Sequence, residues 1–394
     1  MTTSTPTPTA TTTTIALSTL SGRLKDSKGN PVSGARVDAP GAEVYTDKAG
    51  LFTLETTVPA LISVEKPGWV PVEFEWDGSS AFIRTFIDPV RIRGLRVAAG
   101  AAADDATFDH LLALANSTAV NAFVFDTKQE GGNVLHETSV SEAHDIGAVD
   151  PFYSPADRVA QAHQNGLYAI TRIVVFEDSI RVEARPEEKL AGAWIDPSSE
   201  SAKQYNIDLA QEACALGFDE IQFDYVRFPA GETAQVSGQL DLTSEQRLAA
   251  IEGFLSSARE ALIPMGCAVS ADIFAIVVSV VDDQGLGQRP EELSRQLDAI
   301  SPMIYPSHYS LGWLGFPDPN DHPYEVTADA IDDALPRLDP GTSLRPWLQA
   351  FWWTNSQIRS SIQAAEDRGV GWILWNARSN FDLEALPTDD EVEG

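Results

Sequence analysis

The sequence has few cysteines and no long apolar run. Its 394 residues include only Cys214 and Cys267, which are too few and too far apart for a disulfide framework or a cysteine-ligated zinc site. We therefore expect two buried free thiols, and a single bridge between them is the alternative. No stretch approaches the ~20 apolar residues that cross a bilayer, so we expect no membrane span.

Basic residues are also scarce relative to acidic ones. Lys and Arg total 27 against 58 Asp and Glu, which gives a formal net charge of -31. A charge of this sign repels phosphate backbones and anionic membrane surfaces over about a Debye length. We therefore expect no nucleic-acid partner. Solubility alone explains the charge, which is also compatible with a neutral or cationic substrate.

The first residues lack the basic segment and the following apolar segment of a signal peptide. MTTSTPTPTATTTT is instead a Thr/Pro tract of the kind that forms extended linkers. We assign residues 1–16 to a linker and expect a secreted or cell-surface protein whose signal peptide has been removed. A cytoplasmic location is the alternative. No coiled-coil heptads are present, so the oligomeric state stays open.

Residues 17–88 have the pattern of a small all-β module. Turn signals such as GNPVSG separate short alternating runs, and strands at this spacing make a sandwich. Residues 22–37 and 46–52 resemble the opening and the T-D-x-x-G-x-F segment of carboxypeptidase-regulatory-like, transthyretin-like sandwiches. The resemblance implies an accessory module, to which we assign spacing or attachment.

From about residue 90 the pattern changes to apolar strands that alternate with helices. The predicted strands are 94–98, 119–126, 167–176, 218–228, 267–274, 299–306, 343–351 and 369–376, and the predicted helices are 105–116, 155–165, 198–216, 243–264, 290–298, 327–337 and 355–368. Eight such repeats over roughly 300 residues indicate a (β/α)8 TIM barrel, for which about 250 residues are typical. We assign residues 89–394 to it. The alternative, a doubly wound open sheet, calls for a glycine-rich phosphate loop after the first strand, where VAAGAAADD offers only Gly100.

Polar and aromatic residues interrupt or end these strands. In a TIM barrel the reactive groups lie at the carboxyl ends of the strands. The set predicted to form one site is Asp126, Lys128, Arg172, Asp224, Arg227, Asp272, Tyr305, His308, Tyr309, Gln349, Trp352 and Trp375. The six histidines show no HxH or HExxH spacing, so we predict neither a catalytic metal nor another cofactor.

Two carboxyls carry the predicted chemistry. GFDEIQFDYVRFP, residues 217–229, is an apolar strand interrupted by Asp224. A buried carboxylate is costly unless it faces a cavity or a paired charge, so we expect Asp224 to point into a pocket. Asp272 recurs at the equivalent depth of the next strand, and glycosidic bond cleavage needs such a pair, one as acid and one as nucleophile or base. The alternative is a structural ion pair of Asp224 with Arg172 or Arg227.

The other members of the set are assigned to substrate binding. Trp352 and Trp375 are candidates for sugar stacking, because an indole offers a flat apolar face beside an N–H donor. Tyr305, His308 and Tyr309 are predicted to line the subsites. The carboxylate of Asp126 is assigned to sugar hydroxyls, and Lys128, Arg172, Arg227 and Gln349 complete the binding set.

GFDEIQFDYVRFP resembles the signature of a glycosyl hydrolase family whose members carry a YVRFP segment, a (β/α)8 group related in fold to the α-amylase-like glycosidases. The resemblance continues along residues 91–385 in NAFVFDTKQEGG, NGLYAITRIVVFED, ARPEEKL and ISPMIYPSHY. It implies a barrel that acts on α-linked glycans, with Asp224 as nucleophile and Asp272 as proton donor. We expect the substrate to be a microbial polysaccharide and the mechanism to be retaining, with inversion as the alternative. A carbohydrate-binding or cell-wall scaffold protein without catalysis is the alternative. A deacetylase or esterase would need a metal motif or a nucleophile elbow, which the sequence lacks.

The sequence departs from the amylase-like pattern at two positions. Gln222 stands where those enzymes have an Arg two residues before the nucleophile, and the acid of the fifth strand is Asp272 rather than a Glu. Arg227 lies three residues after Asp224, so alternation turns it to the opposite face unless the strand ends first.

Overall fold

The computed structural model describes residues 16–392. The predicted linker therefore lies outside the described residues apart from Ala16. The chain divides into two compact units, with the boundary between Pro89 and Val90. None of the helices within residues 16–392 combines the length and the apolar content needed to cross a bilayer.

The first unit contains two sheets. Its strands are β1 (Ser18–Lys25), β2 (Arg36–Ala39), β3 (Ala42–Tyr45), β4 (Leu51–Thr56), β5 (Ala60–Glu65), β6 (Val72–Trp76) and β7 (Phe82–Phe86). One sheet has the order β4-β1-β7 and the other β3-β2-β5-β6. Alternate residues of both sheets, such as Leu20, Val37 and Ile62, are fully buried in one shared core. Two sheets around one core are consistent with the predicted sandwich.

The second unit is a closed barrel of parallel strands. Its strands are β8 (Arg93–Val97), β9 (Ala122–Lys128), β10 (Tyr168–Val174), β11 (Lys189–Ala191), β12 (Trp194–Ile195), β13 (Glu220–Asp224), β14 (Ala268–Phe274), β15 (Ala299–Ile304), β16 (Ser343–Leu344), β17 (Trp347–Gln349) and β18 (Trp372–Trp375). Strands β8, β9, β10, β13, β14, β15, β17 and β18 pair in parallel in this order, and β18 pairs with β8. The predicted (β/α)8 TIM barrel is confirmed. β11 and β12 form a separate two-stranded sheet.

The seventh barrel strand is divided into two parts. Both β16 and β17 pair with β15, and Arg345 and Pro346 lie between them. Proline has no N–H to donate to a neighbouring strand, which accounts for the interruption. The strand resumes at Trp347 and carries that side chain and Gln349 to the carboxyl end of the barrel.

Helices surround the barrel. They are α1 (Ala99–Ala103), α2 (Asp105–Ala115), α3 (Ser141–Asp145), α4 (Pro155–Gln164), α5 (Ser179–Ala184), α6 (Glu200–Ala215), α7 (Gly231–Val236), α8 (Ser244–Leu262), α9 (Ile276–Ser279), α10 (Pro290–Leu293), α11 (Pro323–Ala334), α12 (Asn355–Glu366) and α13 (Asp389–Val392). In α8, Leu248, Ile251, Leu255, Ala258 and Leu262 recur every three or four residues and bury one face against the strands. The reciprocal capping box of Thr243 and Gln246 begins this helix.

Cys214 and Cys267 form a disulfide. The prediction of two free thiols is wrong. The cysteines are 53 residues apart in sequence, but the fold places the end of α6 beside the segment that enters β14, so that their Cα atoms are 6.0 Å apart. That separation lies within the range that a disulfide bridges.

Replacing both cysteines, Cys214→Ala with Cys267→Ala, is expected to destabilise the barrel. In the chain-entropy account, a cross-link that closes a loop of this size contributes about 4 kcal/mol to the free energy of unfolding. Calorimetry of the wild type and the double variant, each with and without a reductant, measures the effect. Reduction should lower the melting temperature of the wild type to that of the variant and leave the variant unchanged. An unchanged melting temperature of the reduced wild type would contradict a stabilising bridge.

Candidate active site

A cavity of about 500 Å³ opens at the carboxyl ends of the barrel strands. Its lining is mostly aromatic and aliphatic, with two acidic and two basic side chains. The lining residues are Glu130, Arg172, Asp224, Tyr225, Arg227, Phe274, Ala275, Ile276, Met303, Tyr305, His308, Tyr309, Ser310, Trp313, Trp347 and Trp375. A concave, largely apolar cavity with a few convergent polar groups is the usual form of a small-molecule or sugar site.

Asp224 is the last residue of β13 and borders this cavity. The strand ends here because Tyr225 adopts a left-handed backbone conformation, with φ of 51°. The N–H of Tyr225 donates to Oδ1 of Asp224 at 2.6 Å, while Nε and Nη2 of Arg172 donate to Oδ2 at 2.8 and 2.6 Å. Three N–H donors, two of them on a guanidinium, suit an ionised carboxylate.

Arg172, on β10, connects three carboxylates although its side chain is 1% exposed. Besides Asp224, it donates to Asp126 through Nη1 at 3.2 Å and to Glu130 through Nη2 at 2.5 Å. Burial alone would lower the pKa of Arg172, but the charges of these carboxylates raise it well above its ordinary value. Arg172 thus places a guanidinium beside Asp224. Gln222, which stands where the amylase-like enzymes have an Arg, instead donates to Ser301.

Asp272, on β14, lies beside Asp224. Phe223 pairs with Ala271 across the sheet, and both pack in the cluster between the strands and the helices. By alternation, the two aspartates that follow therefore face the barrel interior at neighbouring positions. Asp272 is 1% exposed and does not itself line the cavity, but Trp347, whose Nε1 donates to Oδ1 of Asp272 at 2.7 Å, does.

The surroundings of Asp272 favour its protonated form. Burial, and then the negative charge of Asp224, raise the pKa of Asp272 well above its ordinary value. Its Oδ2 is buried and has no hydrogen-bond partner among residues 16–392. Asp224 is hydrogen-bonded to a guanidinium, whereas the neighbouring Asp272 favours its protonated form. Such a pair can divide the roles of base and acid.

Glu130 is a second carboxylate on the cavity wall, and sequence reasoning missed it. It begins a 3-10 turn, Glu130–Gly132, after β9, and its side chain is 40% exposed. Burial acts to raise the pKa of Glu130, but the charge and the hydrogen bond of Arg172 outweigh it and lower the pKa below its ordinary value. Glu130 is therefore ionised at neutral pH. The sequence feature that could have identified Glu130 as a site residue is its position in KQEGG, directly after the end of a strand.

Arg227 faces the cavity because β13 stops three residues before it. Its guanidinium carbon lies 4.1 Å from the ring centre of Phe274 and 4.7 Å from that of Trp194. Burial lowers the pKa of Arg227 to about 10, which leaves it charged at neutral pH. The condition stated from the sequence, that the strand must end first, is met.

Four of the predicted aromatic residues also line the cavity, namely Tyr305, His308, Tyr309 and Trp375. Burial lowers the pKa of His308, so its ring is neutral near pH 7. The guanidinium carbons of Arg96 and Arg172 lie 4.2 and 4.9 Å from the ring centre of Trp375. The guanidinium groups of Arg96 and Arg172 thus hold the ring of Trp375 in place.

Trp347 and Trp313 are cavity residues that sequence reasoning missed. The ring of Trp347 meets that of Trp375 edge to face, with centres 5.3 Å apart. Trp347 had a usable signal, because it lies two residues before Gln349 on one strand and must share its face. Trp313 begins a short 3-10 turn, Trp313–Gly315, that is distorted at Leu314, where periodicity gives no orientation.

Asp126 and Lys128 do not line the cavity. Each is 1% exposed. Asp126 accepts hydrogen bonds from Arg96 and Arg172. The ammonium of Lys128 donates to the carbonyl of Val174 at 2.7 Å and pairs with Asp178 at 2.9 Å. Both side chains are therefore held by partners within the protein and do not border the cavity.

Gln349 and Trp352 also lie outside the cavity lining. Gln349 is fully buried and accepts from the backbone N–H of Ser307 at 3.2 Å. Its amide donates to the carbonyl of Phe351 at 3.1 Å. Trp352 is 85% exposed, on the loop that follows β17. The structure therefore separates Trp352 from the residues that surround Asp224.

Comparisons with known proteins agree with the barrel. A family model described as "Putative glycosyl hydrolase domain" matches residues 94–381. A hypothetical protein from Ruminiclostridium thermocellum ATCC 27405 is 31% identical, with 45% of this chain and 96% of that chain covered and a TM-score of 0.39. The PgaB (BpsB) glycoside hydrolase domain from Bordetella bronchiseptica is 12% identical, with 74% and 95% covered and a TM-score of 0.54, and at that identity it supports the fold alone. Among curated protein sequences, none matches.

Arg172→Met is expected to lower the free energy of unfolding by about 3–5 kcal/mol, because it leaves the buried carboxylate of Asp224 without its hydrogen-bonded cation and leaves Asp126 with Arg96 alone. The matched control is Glu130→Gln, which removes the partly exposed partner of the same guanidinium and should cost about 0–1 kcal/mol. Urea unfolding at pH 7, followed by tryptophan fluorescence, measures both. Equal losses of unfolding free energy in the two variants would show that Arg172 does not stabilise the buried carboxylates of Asp126 and Asp224.

Asp272→Asn is expected to stabilise the protein near neutral pH. The folded protein holds this carboxyl neutral, so wild-type stability falls as pH rises from the unfolded pKa, about 4, towards the raised folded pKa, while the unfolded chain gains charge freely. Asn retains an oxygen that can accept from Trp347 and does not ionise. The difference in unfolding free energy should therefore be small below pH 4 and grow above it.

Urea unfolding of wild type and Asp272→Asn between pH 3.5 and pH 8, a range chosen around that ordinary pKa of about 4, tests the titration. Asp105→Asn serves as the control, since the Asp105 side chain is 88% exposed. If the difference in unfolding free energy between the wild type and Asp272→Asn stays constant across this pH range, the raised pKa of Asp272 is contradicted.

Proposed function

Because this chain belongs to the glycosyl hydrolase family whose model covers residues 94–381, we propose that it cleaves α-glycosidic bonds in a microbial polysaccharide. Asp224 is the proposed nucleophile and Asp272 the proposed proton donor. The observation that carries the proposal is the division of roles between these neighbours: Asp224 accepts from a guanidinium, whereas burial and the charge of Asp224 raise the pKa of Asp272. A glycosidase needs one carboxylate and one carboxylic acid at the same bond.

The proposed reaction has two displacements. The carboxylate of Asp224 attacks the anomeric carbon while Asp272 gives its proton to the departing glycosidic oxygen, which forms a glycosyl ester on Asp224. Asp272, now a carboxylate, takes a proton from water. The hydroxide equivalent attacks the same carbon, releases Asp224, and gives a sugar of retained configuration.

The strand register supports retention rather than inversion. Asp224 and Asp272 follow paired residues of adjacent strands, and adjacent strands lie about 4.7–4.9 Å apart. Carboxyls on such positions are closer to the about 5–5.5 Å of retaining enzymes than to the about 6.5–9.5 Å that leaves room for water in inverting ones.

The cavity lining supports a carbohydrate substrate. Trp347, Trp375 and Tyr305 offer flat apolar faces around Asp224, and such faces pack against sugar rings. Two carboxylates and two guanidiniums line the cavity, so they balance in charge and suit a neutral glycan. The α-linkage rests on the resemblance to the amylase-like enzymes.

We also propose that the protein works outside the cell. The disulfide between Cys214 and Cys267 supports this location, because disulfides persist in oxidising compartments. The first unit would then serve as a spacer or attachment module.

A carbohydrate-binding protein without turnover is the second candidate function. The observation that favours it is the depth of Asp272, which is 1% exposed and absent from the cavity lining. Binding of a glycan without release of products by the wild type would support this candidate.

Asp224→Asn is expected to abolish hydrolysis, and Asp272→Asn to lower it about 10²–10⁴-fold on natural glycans, the range for loss of a general acid. Glycosyl fluorides should still form the glycosyl ester on Asp224 rapidly in Asp272→Asn, because fluoride leaves without a proton, and release of the sugar should then be slow because the base that activates water is missing, which gives a burst of fluoride. Azide should restore turnover to Asp224→Ala as a glycosyl azide of inverted configuration. Product analysis uses an α-1,4-glucan, an α-1,6-glucan and an α-linked amino-sugar polymer, with NMR of the released anomer.

Asp105→Asn is the matched control and should retain wild-type rates, since its carboxyl is exposed on α2. Full activity of either Asp224→Asn or Asp272→Asn would remove the assignment of that residue. Release of the inverted anomer by the wild type would replace the two-step mechanism by a single displacement.

A further inference from the structure

We propose that the exposed indole of Trp352 is a second sugar-binding platform, outside the cavity, that holds a residue of the glycan remote from the bond that is cleaved. This inference rests on the proposed action on a polysaccharide and specifies it further. The substrate would be a chain long enough to occupy both the Asp224 cavity and Trp352, so the protein would act on polymers in preference to the shortest oligosaccharides.

Trp352 differs from the other tryptophans of the chain in its exposure. All nine lie within the described residues, and eight of them are buried or partly buried, whereas Trp352 is 85% exposed. Packing therefore does not account for an indole at this position. Trp is a common binding residue because it offers a large rigid face and loses little conformational entropy when a ligand covers it.

The backbone of Trp352 is held in a conformation that a turn alone would give to Gly or Asn. Its φ is 59°, in the left-handed region. Both neighbours are anchored: Gln349 donates to the carbonyl of Phe351 at 3.1 Å, and Nε1 of Trp353 donates to Asn320 at 2.9 Å. The fold thus fixes the loop on each side of the exposed ring, as is found at ligand-binding positions.

The ring of Phe351 connects Trp352 to two residues of the cavity wall. The ring of Trp352 meets that of Phe351 edge to face at 5.0 Å, and Phe351 lies 5.5 Å from Tyr305 and 6.1 Å from His308 between ring centres. Tyr305 and His308 line the cavity. A glycan that leaves the cavity past these rings therefore reaches Trp352 next, and the sugar stacked there is separate from the sugar at Asp224. This continuity favours a glycan over a protein partner.

The test measures binding apart from cleavage, in the Asp224→Asn variant. Acrylamide quenches exposed indoles, so the strongly quenched fluorescence should belong to Trp352 and disappear in Asp224→Asn/Trp352→Phe. Maltoheptaose, dextran and an α-linked amino-sugar polymer are the long probes, and maltose is the short one. At least one long probe should protect the quenched component, and maltose should not. Failure of every long probe to protect it overturns the inference.

Trp352→Gly provides the matched variant, because Gly adopts a φ near 59° without strain and should retain the wild-type melting temperature. In the Asp224→Asn background it should weaken binding of the protecting long probe roughly ten-fold, the equivalent of one good stacking contact, and change maltose binding less than about two-fold. Equal effects on long and short probes, or no effect on either, overturn the inference.

The same variants separate this inference from the proposed function. If the wild type cleaves a polymer that does not protect Trp352, the platform is wrong and the hydrolase assignment stands. If a polymer protects Trp352 but is never cleaved, the hydrolase assignment is wrong and the chain is a glycan-binding protein. Protection of Trp352 by a protein and by none of the glycans would assign the surface to a protein interface and overturn the platform.

Discussion

The guanidinium of Arg172 is shared by Asp126, Glu130 and Asp224 inside a barrel that exposes 1% of the arginine side chain. Three carboxylates so close together would repel one another strongly in an interior of low polarity, and each would be costly to keep ionised without a cation. Arg172, together with Arg96 on the far oxygen of Asp126, makes the cluster possible. It also fixes the direction of the Asp224 carboxylate, since Arg172 holds Oδ2 and the backbone N–H of Tyr225 holds Oδ1. The orientation of the proposed nucleophile is therefore set jointly by a residue from a neighbouring strand and by the backbone that ends its own strand.

The same arrangement determines the state of Asp272. Arg172 is hydrogen-bonded to Asp224 and not to Asp272, so the second carboxyl meets burial and a negative neighbour without a cation bonded to it, and its pKa rises. Within residues 16–392, its one side-chain hydrogen bond comes from the indole of Trp347, whose ring also forms part of the cavity wall. Trp347 thus links the proposed acid to the surface that a sugar would touch. A ring of the aromatic wall thus orients the carboxyl behind it, which explains why an acid that is absent from the lining remains adjacent to it.

Sequence reasoning predicted the barrel because strands buried on both faces carry continuous apolar runs, and the eight predicted runs overlap the strands of the structure. It also located Asp224, Arg172, Arg227 and Tyr305 at the cavity, because each lies in a strand or within three residues of a strand end. Glu130 was missed because it lies in a turn whose path depends on Gly131 and Gly132, both at positive φ, and on a contact of the Gly131 N–H with Glu177. The bridge between Cys214 and Cys267 was missed for a related reason. A contact across 53 residues depends on which elements pack together, and periodicity describes each element separately.

The segment after the seventh strand shows where a periodic pattern stops being informative. In WLQAFWW, residues 347–353, alternation holds for Trp347 and Gln349, which both belong to β17 and face inward. Beyond the strand the chain is no longer extended, and the φ of 59° at Trp352 turns that ring to solvent while Trp353 is anchored to Asn320. The four aromatic residues of this segment therefore occupy four different environments. Trp347 lies in the cavity wall, Phe351 packs between other rings, Trp352 is exposed on a loop, and Trp353 is hydrogen-bonded to Asn320. What distinguishes them is the backbone conformation at one residue and the hydrogen bonds of Gln349 and Asn320, so the function of an aromatic residue at a strand end is decided by the loop that carries it.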